Sequence, residues 1–412
     1  MGWLKMDNTP ILPLDHITVL DLSHALAGPH CTTMLADYGA NVIKVEPPSG
    51  DISRAWGDPM ENGQSDYFVS LHRNKKSIVL DLKTDTGRDI LLSLVEKADV
   101  VVENFRVGVL NRLGVGYEAM RKRNPKIVFC SISGFGQDGP YRDRPALDLI
   151  LQAEAGLISI TGSADGEPAR AGISIADLAA GMNAAFAIMV ALQARDRTGE
   201  GQHIDLSMLE SQLSLLGIMV ANYCNTNDMP RPWGTAYKAI VPYQTFKTQT
   251  RDIALAIGSE KLWKAFCTCM SLQELCDDPR FATNAARVKN RETLVPLLQE
   301  AFYQRPYEEW EALLLAGGIP VGAINDFGEV INHPQVLARD ALVEVEHPVA
   351  GKARIIGVPA RLGSTPGSIR TPSPTLGEHT RETLANMLGF SETELDALES
   401  EGAIHSPLVT HS

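Results

Sequence analysis

Over the first third of the chain, apolar residues gather in short runs at Ile17 to Leu22, Asn41 to Glu46, Ser77 to Leu82, Val100 to Glu103 and Ile127 to Ile132. Each run has strand length. Between them lie stretches with helical spacing: one closing at Gly39, then Arg88 to Ala98 and Tyr117 to Arg123. Strands alternating with helices predict a parallel sheet covered on both faces. The longest apolar run, Leu178 to Ala194, is apolar on nearly every face and ends in Arg195, Asp196 and Arg197, with Gly199 as the stop. A helix apolar all round is a buried one. GEGQHIDLSMLES then predicts a buried strand and a further helix.

Residues up to about 215 therefore read as a doubly wound α/β unit. From about Asn222 the pattern breaks at Pro230, Pro232, Gly234 and Pro242. Strands at Val241 to Lys247 and Asp252 to Ile257 follow, with helices at Glu260 to Met270, Glu292 to Phe302 and Tyr307 to Ala316. This is a smaller α+β unit. Short strands at Leu342 to His347 and Ala353 to Ile356 and two terminal helices complete the chain. The boundaries drawn are 1–221, 222–325 and 326–412.

Composition narrows the function classes. With 412 residues and 44% hydrophobic content the chain can bury a large core, and two domains are expected. A net charge of -13 and a pI near 5.3 speak against nucleic-acid or membrane-surface binding, so an anionic ligand needs a locally basic pocket. The six cysteines are scattered, without a disulfide framework or a metal-binding pattern, which points to a reducing compartment and no metal. MGWLKMDNTP has no targeting character, and the apolar run, about 17 residues, falls short of the roughly 20 that span a bilayer. A cytoplasmic protein is expected.

Asp177 stands just before the apolar run, where a carboxylate can cap the helix and is favoured, ionised, by the helix dipole. Position alone makes it an N-cap. Gly181, one turn on, leaves room for another group to approach the carboxylate. Ligands of such sheets bind beyond the carboxyl ends of the strands, at the loops Ser23 to Pro29, Asn104 to Gly108 and Ser133 to Gly139. The last holds GFGQDG, but Pro140 and YRDRP follow it, so no helix N-terminus is there for a pyrophosphate. It reads as a flexible loop with free N–H groups.

Nine motifs occur in a fixed order: VLDLSHALAGP, GANVIKVE, GDISRAWG, RNKKSIVLDLK, ADVVVENFRVG, SISGFGQDGPY, the Asp177 stretch, VPYQTFKT and LGEHT. In this order they resemble class III CoA-transferases, the family of formyl-CoA and carnitine CoA-transferases that also includes α-methylacyl-CoA racemases. The resemblance implies a Rossmann-like large domain built from both chain ends, a smaller α+β middle domain and an interlocked homodimer. It implies that Asp177 attacks an acyl-CoA thioester and forms a mixed anhydride, with CoA a substrate and no cofactor needed. It implies CoA contacts at Ala27, Leu80, Lys83, Asn104, Phe105 and Arg112, with Arg54 a further phosphate candidate, while Pro47 stands where some relatives have a CoA-binding arginine. Where racemases of the family supply a catalytic histidine, this chain has Leu147, which carries no proton; Asp148 beside it is either a second acidic group or a helix cap. Between Gln212 and Lys261 the glycines Gly217, Gly234 and Gly258 are isolated, unlike the glycine run of oxalate-type enzymes. RPWGTAYKAIVPYQTFKT and GIPVGAIND are most similar to succinyl-CoA:glutarate CoA-transferases. A dicarboxylic acid as acceptor calls for a cation, and Arg73 and Lys238 are candidates by type.

Overall fold

The computed structural model describes residues 11–60 and 63–407; the N-terminal decapeptide read above for targeting lies outside them. The chain divides into two compact units, one of residues 1–155, 171–226 and 337–412 and the other of residues 156–170 and 227–336. The middle unit thus takes in a segment, 156–170, that the sequence reading left with the large one.

In the large unit, strands β1 (Thr18–Asp21), β2 (Asn41–Glu46), β3 (Lys75–Leu80), β4 (Val100–Glu103), β5 (Val128–Ser133) and β6 (His203–Ser207) run parallel. Their order is 3-2-1-4-5-6, the doubly wound order of nucleotide-binding sheets, and the short C-terminal strand Ile404–His405 adds antiparallel to β3. The helices of this half include α1 (Ala27–Asp37), α2 (Asp66–Leu71), α3 (Asp85–Val95), α4 (Val109–Arg112), α5 (Tyr117–Arg123), α6 (Asp148–Glu154), α7 (Leu157–Ile160), α8 (Ile175–Thr198), α9 (Met208–Leu215) and α10 (Gly217–Thr226), of which α7 belongs to the middle unit. Helices α1 and α8 cover one sheet face over Val19, Val42, Val100, Val102, Val128 and Cys130. On the other face α3, α5 and the C-terminal helices Thr380–Leu388 and Glu392–Ser400 bury Leu20, Ile43, Ile78, Val101 and Phe129.

Local differences from the expected elements have physical causes. Strand β3 begins two residues early, at Lys75, because its ammonium is buried against the Asp21 carboxylate at 3.0 Å and is not solvated. Helix α3 begins at Asp85, since the Thr84 hydroxyl accepts from the Gly87 N–H at 3.0 Å and starts the helix one turn early. Strand β6 is an edge strand, partly exposed, and not the buried strand expected. Helix α8 is longer than its apolar run. At 24 residues it is long and apolar enough to cross a membrane by length and composition, contrary to the expectation above, but half of its most apolar window is buried inside the protein.

The middle unit holds an antiparallel sheet of Tyr243–Phe246, Ile253–Ala256 and Val321–Ala323, the last strand falling where the sequence pattern assigned no element. Helices Glu260–Met270, Arg291–Phe302 and Tyr307–Ala316 pack around Trp263, Phe266, Phe302 and Trp310.

Candidate active site

Asp177 lies in the first turn of α8, but it is not the N-cap. Ser174 occupies that position without a side-chain capping bond. The Ala176 N–H is instead accepted at 2.9 Å by Asp148 Oδ1, reaching across from α6. The Asp177 carboxyl accepts no hydrogen bond from the described residues. Burial, then the neighbouring Asp148 charge, push it up to about 7. This corrects the expectation of an ionised carboxylate at the helix start: desolvation of the Asp177 carboxylate outweighs the helix dipole. At neutral pH both forms of Asp177 are populated.

Gly181 also has a different reason. A Cβ there would meet the Ala27 carbonyl oxygen at 2.7 Å and the His30 ring at 3.1 Å, so the glycine lets α8 and α1 pack closely and does not clear space at the carboxylate.

The loop after β1 is fixed by groups from three other strand ends. Asn104, beyond β4, accepts from the His24 N–H at 2.8 Å and donates to the His24 carbonyl at 2.8 Å. Lys44 on β2 donates to the Ser23 carbonyl at 2.8 Å and pairs with Asp51 at 2.7 Å. Asp21 accepts from the Ser23 N–H at 3.0 Å and from Thr32 at 2.6 Å, besides its pair with Lys75 from β3. Burial opposes the charge on Asp21, yet Lys75 and Lys44 hold it at about 2. Burial lowers Lys75 to about 8. These ion pairs hold Ala25 in a left-handed conformation, φ 64°, at the crevice between β1 and β4 where the strand order reverses.

The residues suggested for CoA fall into distinct environments. Lys83 and Arg112 are exposed, after β3 and at the end of α4. Phe105 is partly buried, its N–H donated to Glu103 at 2.8 Å, and the Asn104 amide is spent on His24. Ala27 and Leu80 are each 1% exposed and packed into opposite faces of the sheet, so neither presents surface to a ligand. Arg54 is not free for phosphate: it pairs with Glu46 through two bonds of 2.7 Å and stacks 3.7 Å over Phe68. Arg73 is likewise engaged, bidentate to Asp37 at 3.0 and 2.7 Å, which removes it as the cation for a distal carboxylate. Lys238 lies in the middle unit and pairs with Asp228. The GFGQDG loop is tied down as well: the Gly136 N–H goes to Ser133 Oγ at 3.1 Å and the Gln137 N–H to both Asp205 oxygens at 3.1 Å.

Sequence reasoning missed Tyr67. Burial and the charges of Asp177, Asp51 and Asp148 push its phenol up to about 12, so it stays a neutral donor in the electrostatic neighbourhood of Asp177. It packs edge-on to Trp56, centroids 5.7 Å apart. The available signal was its helix, α2, announced by Ser65, whose hydroxyl accepts from the Phe68 N–H at 3.1 Å.

A half-buried carboxyl without a hydrogen-bond partner among the described residues, at the mouth of a doubly wound sheet, is suited to nucleophilic attack. Residues 14–380 match CoA-transferase family III. The chain belongs to that family. As a family III CoA-transferase it is 41% identical over 404 residues to the succinyl-CoA:glutarate CoA-transferase of Mus musculus, covering 98% of this chain and 93% of the relative. It is 41% identical over 334 residues to the acetyl-CoA:oxalate CoA-transferase of Acetobacter aceti, covering 81% of this chain and 86% of that one. The crystal structure of a CAIB/BAIF family protein from Brucella suis superposes with a TM-score of 0.82 at 36% identity, covering 91% of this transferase and 99% of that chain. The α/β architecture and the transfer of CoA between acyl-CoA and acids thus rest on homology over nearly the full length.

Proposed function

We propose that Asp177 is the nucleophile of a CoA transfer from a succinyl-CoA-type donor to a dicarboxylic acid. The carrying observation is its half-buried carboxyl, free of hydrogen bonds from the described residues and raised to about 7. A carboxylate relieved of solvation and of donors is a stronger nucleophile than one held by an arginine. Its oxygen adds to the thioester carbonyl, the carbon–sulfur bond breaks, and a mixed anhydride and CoA thiolate result. The thiolate then attacks the aspartyl carbonyl and releases the donor acid, leaving an enzyme–CoA thioester. The acceptor carboxylate repeats both steps in reverse and leaves with CoA, and Asp177 is regenerated as a carboxylate. CoA enters and leaves as substrate. Lys83 and Arg112 supply exposed cations for its phosphates.

Succinyl-CoA and glutarate are the reading favoured by the first relative, and oxalate is the acid named for the second; the lack of adjacent glycines between Gln212 and Lys261 favours the larger acid. A racemase would need a proton carrier at Leu147, which is 71% exposed hydrocarbon. A homodimer is part of the proposal: Met182, Phe186, Met189 and Val190 form an exposed apolar stripe on α8, and Leu215 and Ile218 are exposed beyond it. Hydroxylamine quenching of enzyme incubated with succinyl-CoA tests the mechanism. The peptide bearing Asp177 should carry the hydroxamate, read by mass spectrometry. Modification of another peptide alone refutes the assignment.

A further inference from the structure

Helix α8 begins in an unusual way for a helix that carries a nucleophile. Its N-cap residue, Ser174, makes no side-chain capping bond. The free N–H of Ala176, one residue before Asp177, is satisfied by Asp148 Oδ1 at 2.9 Å. The other oxygen, Asp148 Oδ2, accepts from Gln152 Nε2 at 2.7 Å, one turn along α6. Gln152 then completes a clamp on the approach to α8, accepting from the Ala171 N–H at 2.8 Å and donating to the Ile173 carbonyl at 3.2 Å. Asp148 is 8% exposed and Gln152 is fully buried, so neither pair of bonds is exchanged with water.

We propose that Asp148 is a positioning residue of the transfer reaction: from α6 it supplies the cap that α8 lacks, and so fixes the direction in which Asp177 meets the thioester. The proposal rests on the reading of Asp177 as nucleophile. A lone substrate-binding role is disfavoured by the geometry, because both Asp148 oxygens are already spent on protein donors. The same geometry leaves the Asp148 carboxylate beside Asp177, whose ionisation it opposes. The fixed charge therefore has a second consequence, raising the cost of ionising Asp177 in the resting enzyme. Tyr67 from α2, which stays neutral, shares the electrostatic neighbourhood of Asp177, and His30 from α1, whose pKa is lowered by burial and then by Lys75 and Arg73, lies against Gly181 one turn on. Asp148 is accordingly the charged neighbour that adds to burial in raising Asp177.

The test compares Asp148→Ala with the exchange Asp148→Asn/Gln152→Glu, in which an amide at 148 still caps Ala176 and donates to a carboxylate at 152, while the donor to the Ile173 carbonyl is lost. Steady-state kinetics with succinyl-CoA and glutarate are followed across pH 5 to 9, with hydroxylamine trapping as a parallel readout. Asp148→Ala should lower kcat at least tenfold with KM for succinyl-CoA nearly unchanged. It should also move the acid limb of the kcat/KM profile down from about 7 toward the ordinary carboxylate range. The exchange should recover most of kcat. Wild-type kcat in Asp148→Ala, or a loss of kcat with the acid limb unmoved, overturns the proposal. If Asp148→Ala does not fold, the exchange variant decides by the same two readouts. Wild-type enzyme that is trapped on a residue other than Asp177 refutes the nucleophile itself, a different outcome from an Asp177 adduct that Asp148 does not influence.

Discussion

Replacing Asp177 with Asn should produce an enzyme that is inactive and, above neutral pH, more stable than the wild type. The sign follows from linkage. The folded state holds the Asp177 proton up to about pH 7, whereas the unfolded chain releases it near 3.8. Between these values the folded state binds more protons, so the contribution of Asp177 to stability falls as pH rises and is most unfavourable above 7. A rise of about three pH units corresponds to roughly 4 kcal/mol, an upper bound for a half-buried group. Asn has nearly the same shape, carries no charge at any pH and relieves this cost, and no described hydrogen bond is lost with the carboxylate. At roughly 2 °C per kcal/mol for a unit of this size, Tm of Asp177→Asn should exceed that of the wild type by several degrees at pH 8 and converge with it near pH 4. Turnover should fall by several orders of magnitude, since the attacking oxygen is gone. Scanning calorimetry from pH 4 to 8, with a discontinuous CoA-transfer assay, measures both. A variant that keeps near-normal turnover, or whose Tm difference does not grow with pH, refutes the account of Asp177 as a desolvated nucleophile.

Arg54→Ala should cost about 3 kcal/mol in urea unfolding, because the fully buried Glu46 would lose its paired cation and keep only the Asp51 N–H, the Ser77 hydroxyl and the Lys44 charge, and the KM for CoA thioesters in the surviving folded enzyme should stay near normal. Charge reversal at Lys83 or Arg112 should instead raise KM for every acyl-CoA by a similar factor, with kcat and Tm little changed; a loss of kcat alone would contradict phosphate binding there. Gly181→Ala should destabilise the protein by roughly 1–3 kcal/mol, since the new methyl would press on the Ala27 carbonyl at 2.7 Å and force α1 away from α8. Calorimetry showing the Gly181→Ala variant as stable as wild type would mean that the helices can part freely.

The sequence by itself determined the elements that are set by local pattern. Strands β2 and β4, helix α5 and the middle-unit helices Glu260–Met270 and Tyr307–Ala316 lie where the runs of apolar residues predicted. These segments bury side chains at a regular period, so the pattern is visible without knowing what covers it. The alternation of strands and helices pointed to the sheet mouth, the start of the long apolar run placed Asp177, and the family motifs added the reaction class. Lys75, Tyr67 and Asp148 could not be read in the same way. A lysine at a strand start looks solvated until Asp21, 54 residues away, is found against it. Tyr67 takes its environment from Asp177, far along the chain and on a different helix. Arg54 and Arg73 looked like ligand-binding cations, and only the fold supplied Glu46 and Asp37 to neutralise them.

The protonation of Asp177 shows the division most clearly. Its place at a helix start was legible, and from that position alone an ionised cap was the expected state. The opposite outcome depends on the desolvation imposed by tertiary packing and on a carboxylate from α6 that takes the capping bond 28 residues away in sequence. Local pattern determines which segments coil and which extend, because those preferences act within a few residues. The pKa of a buried group is set by whatever lies within a few ångströms of it, and only the folded chain decides what that is.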